Sequence, residues 1–142
     1  MDDRSRAARS ETMRRVRSRG TSCEVALGEE LRRRGLRWSR GVRAGGVAGK
    51  PDFVFWRARV VVFVDGCFWH GCAEHCRMPS GNRVYWERKI GRNVERDRRV
   101  RRELRKEGWK VVRVWEHSVV RSVGRCGARV ERAVREGESR KA

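Results

Sequence analysis

The apolar positions of this chain fall into short blocks whose spacing switches between helical and extended. From Thr21 or Ser22, each a good N-cap, Val25, Leu27 and Leu31 recur at helical spacing as far as Gly35, a natural C-terminal stop. The glycine-rich stretch 41–50 predicts a loop. Two extended runs follow, Asp52 to Trp56 and Arg59 to Val64. The second contains the unbroken run VVVFV, and a strand without a polar face suits the middle of a sheet. Residues 65–82 show no period. Over 83–107, Trp86, Ile90, Val94 and Leu104 form the stripe of a long helix closed by Gly108. Trp109 to Trp115 predicts a third strand, and residues 125–136 a short, weakly patterned helix. The order helix, strand, strand, long helix, strand predicts one α/β domain around a small mixed sheet. Residues 1–20 are polar and basic, with Ala7, Ala8, Met13 and Val16 as the apolar minority, and predict a short helix that packs weakly or folds on a partner. The expected organisation is a basic segment over 1–20, a single domain over 21–137 and a disordered tail over 138–142.

Charge narrows the class of partner. In 142 residues there are 37 Lys and Arg against 18 Asp and Glu, a formal net charge of +19. Such an excess on one small domain attracts polyanions: nucleic acid first, with membrane surfaces and ribosomal RNA as competitors. No apolar run approaches the roughly 18 residues needed to span a bilayer, and the N-terminus lacks an apolar signal core, so a soluble intracellular protein is expected. Of five cysteines, Cys67, Cys72 and Cys76 fall within ten residues and beside histidines. In a reducing compartment that spacing reads as metal ligation rather than disulfides.

Three constellations carry candidate chemistry. Asp52 follows Pro51 at the head of one extended run, and Asp65 ends the next. If the two strands are neighbours, their carboxylates meet at one edge of the sheet. Paired acids suit Mg²⁺, which prefers hard oxygen ligands and retains water, and such ions can supply a nucleophile to a scissile phosphate. Pro-Asp is also an ordinary turn signal, so alone it does not establish such a site. His70, five residues past Asp65, can act as a general base if a carboxylate fixes its tautomer. Asp97 lies seven residues after Ile90 and eleven after Trp86, hence on the inward face of the long helix. A carboxylate there needs a partner, either His70 or an arginine.

Next comes Cys67-x4-Cys72-x2-His75-Cys76. Thiolates and imidazole at short spacing are what tetrahedral Zn²⁺ takes, and His117 at the end of the third strand is placed to complete the set. The preferred ligands are Cys67, Cys72, His75 and His117, with Cys76 as the alternative to His75. Phe68 and Trp69, large aromatics in a basic polar loop, suit wedging into a base stack, or else cover the zinc site. Lys89, Asn93 and Arg96 recur at helical spacing as one polar edge able to read bases or phosphates. The run Arg98-Arg99-x-Arg101-Arg102 reads as a solvated face that also tracks phosphates.

Four blocks in order, SETMRRVRSRGTSCE, PDFVFWRARVVVFVDGCFWHGC, YWERKIGRNVERDRR and GWKVVRVWEH, resemble the very-short-patch repair (Vsr) mismatch endonucleases over roughly residues 5–120. The resemblance implies a restriction-endonuclease-like (PD-(D/E)XK) fold, a small central mixed sheet flanked by helices, with a structural zinc site. It implies a strand-specific nick 5′ to the T of a T:G mismatch, the product of 5-methylcytosine deamination. By the same resemblance Asp52 and the backbone carbonyl of Val64 hold two Mg²⁺ ions, and Glu24 acts through metal-bound water. His70 is the base, supported by Asp97. Met13, Phe68 and Trp69 are wedge residues, and Lys89 and Asn93 contact the mismatched pair. Implied partners are T:G duplex DNA, mismatch-repair and repair-polymerase proteins, and a cytosine-5 DNA methyltransferase as functional companion. A monomer in a bacterial cytoplasm, associated with the nucleoid, is expected. Two positions depart from the best-studied pattern. Asp65 stands where a histidine can, closer to a two-acid metal site. Cys72 replaces a histidine and His117 a cysteine, swaps that keep zinc-competent atoms.

Two other readings stay open. A restriction-type nuclease without mismatch specificity would use the same Glu24, Asp52 and His70. A non-catalytic zinc-containing DNA-binding module would explain the charge and the cysteines but not the acids. The nuclease reading requires residues 24, 52, 70 and 97 to converge on one pocket.

Overall fold

The computed structural model describes residues 22–40, 49–66 and 81–140. Helix α1 occupies 22–33 and ends in a turn at Gly35, whose φ of 78° is the left-handed conformation expected of a C-terminal glycine. Strand β1 (Phe53–Phe55) pairs antiparallel with β2 (Val60–Asp65) across a tight turn. β2 pairs parallel with β3 (Lys110–Trp115) in the register Val62 to Val112, giving the order β1-β2-β3. The apolar run is therefore the central strand of a mixed sheet, as its lack of a polar face predicts. Helix α2 (Arg83–Lys106) makes the crossover between the parallel strands and stops before Gly108, at φ 91°.

Alternation along the strands divides the core in two. Phe53, Phe55, Val60, Val62, Val64, Val112 and Val114 face α1 together with two C-terminal helices, α3 (Glu116–Arg121) and α4 (Val123–Ser139). Val54 and Val61 face the other way, onto Leu104 of α2 and Trp109. The sheet is thus covered on both faces, which a buried parallel pair requires.

The C-terminal region is more helical than its pattern predicts. α3 follows β3 without a side-chain cap, so no capping residue announces it. α4 starts two residues before the expected helix and continues to Ser139, past the domain limit placed at 137. Its glycines weaken the pattern, but Cys126, Val130, Ala133 and Val134 are buried, and packing outweighs propensity. Gly137 rides on the β1–β2 turn: a Cβ there would lie 2.2 Å from the Ala58 carbonyl oxygen. Gly137→Ala should unwind the last turn of α4 and cost about 1 kcal/mol, read from a denaturant melt with unchanged m-value.

Arg34 fastens α1 to α4. Its guanidinium donates to Glu30 (2.8 Å), to Glu131 (2.9 Å) and to the Gly124 carbonyl (3.0 Å). Gly127 permits the approach, because a Cβ there would meet Glu30 at 2.6 Å and Arg34 at 2.8 Å. This clasp fixes the rotation of α1, and with it the direction of the Glu24 side chain.

Candidate active site

At one end of the sheet a cavity of about 550 Å³ opens between α1, the β1–β2 edge and α2. Glu24 reaches it from α1, Asp52 from the approach to β1, Val64 and Asp65 from the end of β2, and Asp97 from α2. Three of the four residues required to converge therefore do so; His70 lies outside the described residues.

Asp52 is held tightly. Its backbone N–H donates to the Val62 carbonyl (2.8 Å), extending the pairing of β1 by a residue. Its Oδ2 accepts from the Val64 N–H at 2.6 Å. Its carboxyl lies beside the Glu24 carboxyl in the cavity. Burial, reinforced by Glu24 and by the nearby Asp65, pushes Asp52 up from 3.8 to about 8, against the opposing pull of the Val64 amide. Two acids forced together in a partly dry pocket repel one another, and a divalent cation bound between them would relieve that repulsion. In an extended strand one residue's N–H and C=O leave on the same side, so the Val64 carbonyl opens toward the edge where its amide meets Asp52. Two carboxylates and one carbonyl, the rest water, is a donor set that suits Mg²⁺. Among the described residues no three His, Cys, Asp or Glu side chains are grouped as a ready-made metal cage.

Asp65, though buried, is committed elsewhere: its Oδ2 accepts from Arg113 Nε at 2.5 Å, and that guanidinium stacks 4.0 Å above the Trp115 ring. It shapes the field around Asp52 while bound to an arginine of the neighbouring strand. Arg96, on the polar edge with Lys89 and Asn93, lines the cavity and donates to Asn93 Oδ1 at 3.4 Å. His117 falls in the first turn of α3, with its ring stacked on Trp115. Met13, Cys67, Phe68, Trp69, Cys72, His75 and Cys76 lie outside the described residues.

Two cations in the lining were not anticipated. Lys50 sits two residues before Asp52, carried there by Gly49, whose φ of 73° is the left-handed conformation that glycine adopts without strain. Arg101 was read as part of a solvated face, but it stands one turn beyond Asp97 and lines the cavity. The i, i+4 spacing from Asp97 was the available signal, hidden in a segment where nearly every residue is basic.

Carboxylates gathered at one edge of a mixed α/β sheet, with cations beside them in so basic a chain, define an enzyme that cuts a phosphodiester backbone, an endonuclease. The family model described as DNA mismatch endonuclease Vsr matches residues 1–77. The chain is 41% identical to the DNA mismatch endonuclease Vsr of Escherichia coli (strain K12) over 118 residues, 81% of this chain and 73% of that one. It is 49% identical over 114 residues to the type II nicking enzyme V.NaeI of Lentzea aerocolonigenes, 78% of this chain and 69% of that one. With the type II nicking enzyme V.NmeDIP of Neisseria meningitidis serogroup C it shares 41% over 138 residues, 96% and 92% of the two chains. The chain belongs to the Vsr family of DNA mismatch endonucleases. Membership implies a restriction-endonuclease-like fold, and the three-stranded mixed sheet between helices agrees with it. No helix among the described residues is long and apolar enough to cross a membrane.

Proposed function

We propose that this protein nicks one strand of duplex DNA 5′ to the T of a T:G mismatch, with two Mg²⁺ ions at the Glu24–Asp52 pair. The observation that carries the reading is that pair itself: two carboxyls from separate elements brought against each other in one cavity, each raising the cost of the other's charge. Asp52 and the Val64 carbonyl would hold the metal, and Glu24 would act on it through water. The ions, when bound, supply charge neutralisation at the phosphate and an acidified water. His70 removes the proton from the attacking water, and Asp97 keeps its imidazole oriented. Asp65 is a positioning acid, anchored through Arg113. Cys67, Cys72, His117 and either His75 or Cys76 hold one structural zinc ion.

Lys89, Asn93 and Arg96 present one strip of α2 to the duplex. Met13, Phe68 and Trp69 separate the stack beside the mismatch, where the few kcal/mol for unstacking is smallest because pairing is already weak. The cellular setting that fits is a bacterial cytoplasm containing a cytosine-5 DNA methyltransferase, with repair-polymerase and mismatch-repair proteins acting after the nick.

The deciding experiment is strand-resolved cleavage of matched and T:G oligonucleotides in Mg²⁺ and in EDTA. One cut, in the T strand of the mismatch, with Mg²⁺ only, is the expected result. Equal cutting of matched duplexes would support a restriction-type nuclease, and binding without cutting would support a DNA-binding module. Trp69→Ala should lower T:G over T:A discrimination about tenfold, in line with the loss of a kcal/mol or more of stacking. Unchanged discrimination removes the wedge. Metal analysis should find one zinc per chain.

A further inference from the structure

Arg101 is half-buried in the lining of the catalytic cavity. The carboxylates that act on it are Asp97, a turn earlier on α2, and Asp65. Asp65, however, is bound by Arg113, whose like charge also bears on Arg101. Among the described residues Arg101 forms no hydrogen bond or ion pair. Burial and the neighbouring Arg113 both pull its guanidinium down from its ordinary value. A cation kept partly dry with its donor fork unused is costly unless an anion fills the place during function. A phosphodiester is such an anion: its non-bridging oxygens match the fork, and charge-assisted bonds of this kind are the strong ones.

We propose that Arg101 binds a non-bridging oxygen of the phosphate to be cut and stabilises the charge that grows there as the bond breaks. The proposal deepens the nicking reading and rests on it. It divides the cavity by charge, with Glu24 and Asp52 attracting cations and Arg101 attracting the phosphate. It also gives Asp65 a purpose without metal ligation: by occupying Arg113, it keeps the second guanidinium from competing for the same oxygen.

The test uses full-length wild type, Arg101→Lys and Arg101→Met, each checked by thermal melt. Single-turnover nicking of saturating T:G duplex in Mg²⁺ should fall about 100-fold in Arg101→Met, the loss typical of one preorganised donor to a developing oxyanion. Arg101→Lys, which keeps the charge and loses the fork, should recover part of it. In EDTA, where nothing is cut, the slope of log affinity against log salt should fall by about one for Arg101→Met and be restored by Arg101→Lys. Wild-type rate and slope in a folded Arg101→Met protein would overturn the proposal. So would a lowered melting temperature with an unchanged slope, which would make Arg101 a structural counter-charge. If wild type cuts nothing, the nicking reading fails, and the salt slope alone still decides whether Arg101 touches a phosphate.

Discussion

Asp52→Asn is expected to melt higher than wild type without metal, and to lose at least about a thousandfold in nicking. Both effects come from one carboxyl. Its pKa rises from 3.8 to about 8 on folding. A group raised in this way supports the fold fully below pH 3.8, and that support drains away as pH climbs toward 8, because the unfolded chain ionises first. The amide at position 52 does not titrate. The gap in stability between variant and wild type should therefore widen from about pH 4 to pH 8 and level off above, reaching on the order of 3 kcal/mol in EDTA. Mg²⁺ should close the gap from the wild-type side, since only the carboxylate binds it and binding adds stability by mass action. The nicking loss follows from removing several kcal/mol of metal-supplied charge stabilisation. Melts in EDTA and in Mg²⁺ across that pH range check the claim. Equal melting temperatures at all pH values would mean that Asp52 is not strained by its neighbours.

Gly49→Ala should be nearly as damaging, although residue 49 performs no chemistry. A Cβ there would lie 2.6 Å from Val100 Cγ1 on α2, and the φ of 73° would strain any L side chain. Left-handed backbone costs about 1–2 kcal/mol and overpacking a further 1–3, so a loss of about 3 kcal/mol is expected. Val100 is branched at Cβ and sits mid-helix, so it has little room to turn aside. Relief must come from the loop, which would carry Lys50 and Asp52 outward. Nicking should then fall in kcat at saturating duplex, while affinity in EDTA changes little. A double variant, Gly49→Ala with Val100→Ala, removes the clash and leaves the strain, so it should recover only part of both losses. A fully active single variant would show that the approach of loop to helix is not needed.

Much of the architecture was legible because the chain marks its own boundaries. Gly35 and Gly108 stop helices where the sequence places their ends, and VVVFV, which suits a strand covered on both sides, is the central one. Asp97 was placed on the inward side of α2 by counting from Trp86 and Ile90, and it lines the cavity. Periodicity did not indicate Glu24. Its helix ends some twenty positions before β1 in the sequence, and nothing local says which turn of α1 meets Asp52; only the resemblance pointed to it. Arg101 and Arg113 were lost for another reason. With 37 basic residues in the chain, one more arginine carries little information, and only its neighbours in space set it apart. Asp65 was correctly put beside Asp52, but its pairing with Arg113 depends on the register of β2 with β3, which no spacing reveals.

The clasp between Arg34 and Glu131 has a practical meaning for anyone trimming or tagging this enzyme. α4 contributes no atom to the cavity, yet it is the frame against which the Glu24 helix is aligned. Deleting it to obtain a smaller nicking tool would strip one face of the sheet of Val130, Ala133 and Val134 and release the Glu24 helix as well, so the whole pocket would lose its support. The shortened chain would still stick to DNA by charge and would not cut it. A fusion partner is better joined beyond residue 140 than anywhere before Glu131.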